Sequence, residues 1–186
     1  MATSCPDIPR EQWSSHPHWP SQVLLLGSHA NFRRISSYLV ELAEADLEAE
    51  SSRSLTTIAS LYLRWISAMR SHEAYEEHKL YPYLGARWGL SMAEAEAGHH
   101  ELHERHAAVV DAIARLAELD TESEASHLRT ARQTLVAALQ AHDRTLDAHL
   151  EVEEQLVIPP LLSLEPEEFH RYTNLSIEAL LAELDA

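Results

Sequence analysis

Two stretches of the sequence repeat one arrangement of ionisable side chains. The first, His72-Glu73-Ala74-Tyr75-Glu76, is closed by Pro82; the second, His149-Leu150-Glu151-Val152-Glu153, is closed by Pro159. In both, a glutamate follows the histidine by four residues and a proline stands at the same distance beyond it. Residues four apart on an α-helix lie one above the other on a single face. One imidazole and one carboxylate so placed can hold a single ion, or bridge a pair, from one rigid element. The chemistry implied is metal coordination, and the arrangement occurs twice.

The chain has 13 histidines in 186 residues, and several of them fall in helical patterns. His29 shares a stripe with Leu25, Phe32, Leu39 and Ala43 at spacings of three and four. Alone, a histidine on an apolar face is ordinarily a hydrogen-bonded core residue. His99, His103 and His106 lead into Val110, Ile113 and Ala117 at core spacing, while His100 points about 100° away. His16 and His18 flank Pro17, which prevents a shared helical face, so they read as a surface pair.

Four glycines and an abundance of Ala, Leu and Glu point to an all-α chain. Residues 1–20, with four prolines and no periodicity, read as an N-terminal arm. A first helix is expected from near Ser21 to about Glu48. A second starts at Ser51–Ser54 and carries Leu61, Trp65, Met69, His72, Glu76 and Leu80 on one face, ending at Pro82 and the Gly85–Gly89 turn. Ser91 to Glu94 and Thr121 to Glu124 form capping boxes for a third and a fourth. The fourth presents Leu135, Leu139, His142, Leu146, His149, Glu153 and Leu156 and ends at Pro159 and Pro160. A fifth, short helix follows over 163–186, with Pro166 in its first turn and Ile177, Leu180, Leu181 and Leu184 as its packing face.

Four long helices with short connections imply an up-down-up-down antiparallel four-helix bundle over 21–162. His29, His99 and His103 lie two to three turns after the starts of their helices, and the two His–Glu pairs about two turns before the ends of theirs. In an antiparallel bundle those levels coincide, so seven ligand-type side chains, His29, His72, Glu76, His99, His103, His149 and Glu153, are expected in one layer. A bland reading makes every histidine a satisfied core residue and every glutamate a solvated one. It fails jointly, because Glu76 and Glu153 occupy core-stripe positions, where an unpaired carboxylate costs several kcal/mol. Histidine–glutamate ion pairs without metal are the alternative. Glu73, Glu77 and Glu154 are expected at the surface, and His106 and His142 deeper in the core.

Imidazoles and carboxylates without thiolate suit iron, manganese or zinc. Five imidazoles and two carboxylates exceed the needs of one tetrahedral ion. Two ions about 3.5 Å apart, bridged by Glu76 and Glu153, use all seven and leave one position open. The Glu-x-x-His strings at Glu96–His99 and Glu124–His127 suggest a rival carboxylate-rich design. Glu124 lies at the wrong end of its helix for it.

Over residues 20–162 the pattern resembles the hemerythrin family, the HHE cation-binding domains. It does so in His29, in His72 with Glu76 and the following Glu77-His-Lys-Leu-Tyr-Pro82, in His99 with His103, and in His149 with Glu153. The resemblance implies a non-haem di-iron centre with an oxo or hydroxo bridge. It implies His99, His103 and His149 on one iron, and His29 and His72 on the other, open one. The four-residue spacing of His149 and Glu153 resembles the bacterial and iron-sensing branches more than the oxygen carriers.

Fourteen Lys and Arg against 30 Asp and Glu leave a formal charge of −16, which would repel nucleic acid and anionic lipid. No apolar run approaches the roughly 20 residues of a membrane span. A single Cys5 and no visible secretory signal fit a cytoplasmic setting. The expected function is binding or reduction of dioxygen, peroxide or nitric oxide at an open iron. Peroxidase- or catalase-like turnover is one form of it. The alternative is an iron- or oxygen-responsive module acting on a protein partner.

Overall fold

The computed structural model describes Cys5 and residues 7–119 and 123–184. Among these every regular element is helical and none is a strand. A short helix α1 (Arg10–Trp13) precedes α2 (Leu25–Glu48) and α3 (Leu55–Tyr75). A π-helical turn (Glu76–Leu80) then leads without interruption into α4 (Tyr81–Trp88). After it come α5 (Ala93–Glu118), α6 (Ala125–Leu162), α7 (Pro166–Asn174) and α8 (Ile177–Leu184). No helix is long and apolar enough to cross a membrane among the described residues.

The chain divides into two compact units, and the divisions fall inside α2, α3, α5 and α6. The first comprises Met1–His29, Ser71–Ala97 and Leu150–Ala186; the second comprises Ala30–Arg70 and Gly98–His149. The core of the first gathers Trp13, Leu80, Leu84, Leu161, Tyr172 and Leu180 among others. The N-terminal segment is therefore anchored rather than draped. Trp13 is 4 % exposed and its indole donates to the Ile8 carbonyl. In the second unit Asp46 closes the turn between α2 and α3, accepting from the backbone N–H and hydroxyl of Ser54 and from the Ser51 hydroxyl. That satisfies donors which the start of α3 would otherwise leave open.

Several boundaries differ from expectation for local reasons. α2 begins at Leu25 rather than Ser21. Pro82 does not end the second helix: the Tyr81 N–H bonds to the Glu76 carbonyl five residues back, and the widened turn carries the chain past the proline to Gly89, whose φ of 70° ends α4. Pro159 and Pro160 lie inside α6, where neighbouring Ile158, Leu161 and Leu162 are buried. Burial there outweighs the hydrogen bonds that two prolines remove. The Ser91 hydroxyl accepts from Ala93 rather than Glu94. Of the second capping box, Thr121 and Glu122 lie outside the described residues. The C-terminal helix breaks in two at Leu175–Ser176, and Leu184 is 38 % exposed rather than packed.

Deep in the second unit, His142 is 1 % exposed and packs against the rings of Tyr62 and Trp65. Burial first, and His106 next, lower its pKa to about 4 from 6.5. The unfolded chain takes up this proton near its ordinary pKa, so between the two values the unfolded state binds more protons and stability falls as pH drops. Urea unfolding should show about 2 kcal/mol lost to this group between pH 7 and pH 5. His142→Phe should flatten that acid limb; an identical acid limb in the variant would contradict the assignment.

Candidate metal centre

Within the first unit, three helices deliver side chains to one cluster. His29 comes from the first turns of α2, His72 from the end of α3, Glu76 from the π turn, and Glu153 and Glu154 from α6. His29, Glu76, Glu153 and Glu154 are at most 2 % exposed. The Nε2 atoms of His29 and His72 stand 2.9 Å apart, and their rings meet edge to face. Glu76 Oε1 lies 2.8 Å from His72 Nε2 and 3.8 Å from His29 Nε2. Glu153 Oε2 lies 3.6 Å from the same His29 nitrogen. Two imidazoles ligating one ion at about 2.1 Å and a right angle would hold their nitrogens about 3 Å apart. His29, His72 and Glu76 each offer a ligand atom within 4.8 Å of the others. The buried His and Glu groups could hold metal ions.

The π turn is part of how they do so. In a regular α-helix Tyr81 would point well away from Glu76, five residues earlier. The wider turn rotates it back inward, where Tyr81 is 3 % exposed and its hydroxyl donates to Glu153 Oε1 at 2.5 Å. Burial, with the charges of Glu153 and Glu76 behind it, pushes the Tyr81 pKa far up, so this phenol keeps its proton and stays a donor. Burial and the neighbouring Glu76 charge likewise hold Glu153 above the ordinary carboxylate range. His29 moves differently. Burial disfavours its charged form, but hydrogen bonds to Glu154 and Glu76 and the nearby carboxylate charges outweigh that and raise its pKa to about 9.

The second unit carries the other buried pair. His99 and His149 are 1 % and 7 % exposed, with ring centroids 4.7 Å apart. On α6, Glu153 follows His149 by four residues. The donor set is nitrogen and oxygen without sulfur, which suits iron, manganese or zinc.

Other expected positions are corrected. His103 is exposed, as is His100. The buried stripe of α5 runs through Ala95, His99, Leu102, Val109 and Leu116, so the apolar Leu102 takes the inward place next to His99, and Val110 is 40 % exposed. Glu73 and Glu154, expected at the surface, are 8 % and 2 % exposed, whereas Glu77 is exposed as expected. The sign for Glu154 was available. α6 is apolar on all sides from Leu156 to Leu162, the mark of a segment buried around its whole circumference. His106 is hydrogen-bonded to the Tyr62 hydroxyl at 3.1 Å, and the Glu124–His127 pair is exposed. His16 and His18 contact each other, and His18 Nδ1–H donates to the Leu162 carbonyl at 2.8 Å.

A cavity of about 280 Å³ opens beside His72, walled by Leu24, Leu25, Tyr75, Phe169 and Tyr172. The hydroxyls of Tyr75 and Tyr172 are hydrogen-bonded to one another, tying α7 to the end of α3. No protein-family model matches the chain, and no curated protein or solved structure matches it.

Gly98 leaves the room that the His149 ring occupies: a Cβ at that position would lie 2.2 Å from His149 Nδ1. Gly98→Ala must therefore push the imidazole aside. It should lower stability by about 1–3 kcal/mol and shift the His149 ring resonances in an NMR spectrum. Unchanged resonances and an unchanged melting curve would contradict the close packing.

Proposed function

We propose that this chain is a hemerythrin-like di-iron protein, built on an up-down-up-down four-helix bundle, that binds or reduces dioxygen, peroxide or nitric oxide. The observation that carries the reading is the convergence of His29 Nε2, His72 Nε2 and Glu76 Oε1. His29, His72 and Glu76 would hold one ion; His99, His149 and Glu153 would hold the other, with the two glutamates shared as bridges. His103, the seventh position expected from the sequence, is exposed. Iron in such a donor set supplies redox chemistry and an exchangeable position for a small ligand.

The chain's own residues do the rest. Tyr81 holds a proton at Glu153 Oε1, which directs the other oxygen of that carboxylate toward His29. The cavity beside His72 gives a small uncharged molecule a route to the His72 side, through walls that are largely apolar. The Tyr75–Tyr172 pair stands at that approach. Turnover and sensing differ in what the loaded protein does. An enzyme consumes peroxide, or dioxygen with a reductant; a sensor changes helicity or partner affinity on loading.

Anaerobic titration with ferrous iron, followed by oxidation and azide, tests the proposal. The expected result is about two irons per chain and an azide-dependent visible band. Glu76→Gln should lose at least one iron. Because His29 is protonated up to about pH 9 in the metal-free chain, binding must displace that proton. Affinity should therefore climb at least about tenfold per pH unit from pH 6, more steeply where Glu153 also gives up a proton, and level off near pH 9. A chain that takes up no iron across that range would instead be a hydrogen-bonded histidine–glutamate core, and the proposal would fall.

A further inference from the structure

The imidazole of His29 uses both of its nitrogens. Nε2 faces His72, Glu76 and Glu153, while Nδ1 lies 3.2 Å from Glu154 Oε1. Glu154 is 2 % exposed, and its other oxygen accepts from Arg10 Nη2 at 2.9 Å. Arg10 reaches Glu151 with its second terminal nitrogen. The guanidinium itself is placed by the core: it stacks 5.3 Å from the ring of Trp13, three residues on in α1, which is buried and hydrogen-bonded to Ile8. A chain of four groups thus runs from the N-terminal segment, through Arg10 and Glu154, to the back of His29.

We propose that Glu154 and Arg10 are positioning residues of the metal centre, and that the N-terminal segment is thereby a working part of it. The inference rests on the proposed metal reading and extends it to residues that ligate nothing. A neutral imidazole carries one N–H and one lone pair, and the partner of one nitrogen decides which side has the lone pair. Glu154 accepts the Nδ1 proton, so the lone pair of His29 lies on Nε2, toward His72 and Glu76. It also fixes the ring plane. Arg10 in turn fixes Glu154, because a carboxylate held at both oxygens cannot rotate away from the imidazole. A chain in which residues near the N-terminus were cleaved or displaced would keep all its ligands and still hold its ion less well.

The test uses the full chain, loaded with cobalt(II) as a spectroscopic probe, and compares wild type with Glu154→Gln, Arg10→Met and Arg10→Lys. Glu154→Gln should weaken cobalt binding by about 10- to 100-fold and alter the visible absorption of the bound ion. Arg10→Met, at a half-exposed side chain whose loss leaves the Trp13 anchor in place, should speed release of cobalt to a chelator several-fold with an unchanged melting temperature of the metal-free chain. Arg10→Lys, which can still reach a carboxylate, should restore much of the retention. Wild-type affinity, spectrum and release rate in both Glu154→Gln and Arg10→Met would overturn the positioning role while leaving the metal reading intact. If Glu154→Gln does not fold, Arg10→Met alone decides. Failure of the wild-type chain to bind cobalt at all would overturn both.

Discussion

Two buried carboxylates held against a buried and a partly buried imidazole form the constraint on which the first unit depends. Taking carboxylates out of water costs several kcal/mol per ion unless opposite charge and hydrogen bonds offset it. Glu76 and Glu153 raise this cost for each other, since each sits in the other's field. In the metal-free chain the cluster answers by holding protons, on His29 up to about pH 9 and on Glu153 above the usual carboxylate range. A multivalent cation would answer the same field with no need for those protons. The cost is tolerable because the surroundings are rigid: Tyr81 pins one oxygen of Glu153, and Glu154 pins the back of His29.

Several local irregularities make sense in that light. A π turn at Glu76–Leu80 departs from the cheaper α-helical pattern, yet it carries the helix past Pro82 and turns Tyr81 toward Glu153. In the second unit, Gly98 gives up helix propensity so that the His149 ring can lie flush against α5. The flanking segments contribute as well. α1 brings Arg10 to Glu154, and α7 brings Tyr172 to Tyr75 beside the cavity at His72. Neither segment carries a ligand-type residue of the cluster. Both touch groups that border it.

Much of this was legible in the sequence, and what was not has physical causes. The helical character followed from composition and from three–four periodicity, and the histidine-to-glutamate spacing of four singled out His72 with Glu76, whose side chains approach to 2.8 Å. His29 was found because it interrupts an otherwise apolar stripe. The error at His103 came from phase. A histidine four residues from His99 fits the same face as well as Leu102 three residues away, and only packing decides between them. Glu154 was misplaced because a stripe argument assumes one buried face, whereas α6 near its end is enclosed on more than one side; Glu73, on α3, is buried without such a sign in the sequence. Prolines misled in a different way. The breaking tendency of Pro82 and of Pro159–Pro160 is real, but a π turn absorbs the first and buried leucines outweigh the others. Arg10 was beyond reach, since nothing in residues 1–20 signals which distant side chain a short helix will meet.

The central claim is that the buried histidine–glutamate cluster is a metal centre rather than a self-satisfied polar core. X-ray absorption at the metal edge, on the full chain isolated without chelator and assayed for metal content, addresses it most directly. The account predicts bound metal in near-stoichiometric amount, in a shell of nitrogen and oxygen with the outer-shell scattering of imidazole. A chain that emerges metal-free, and stays so after exposure to iron, manganese and zinc in turn, would contradict it.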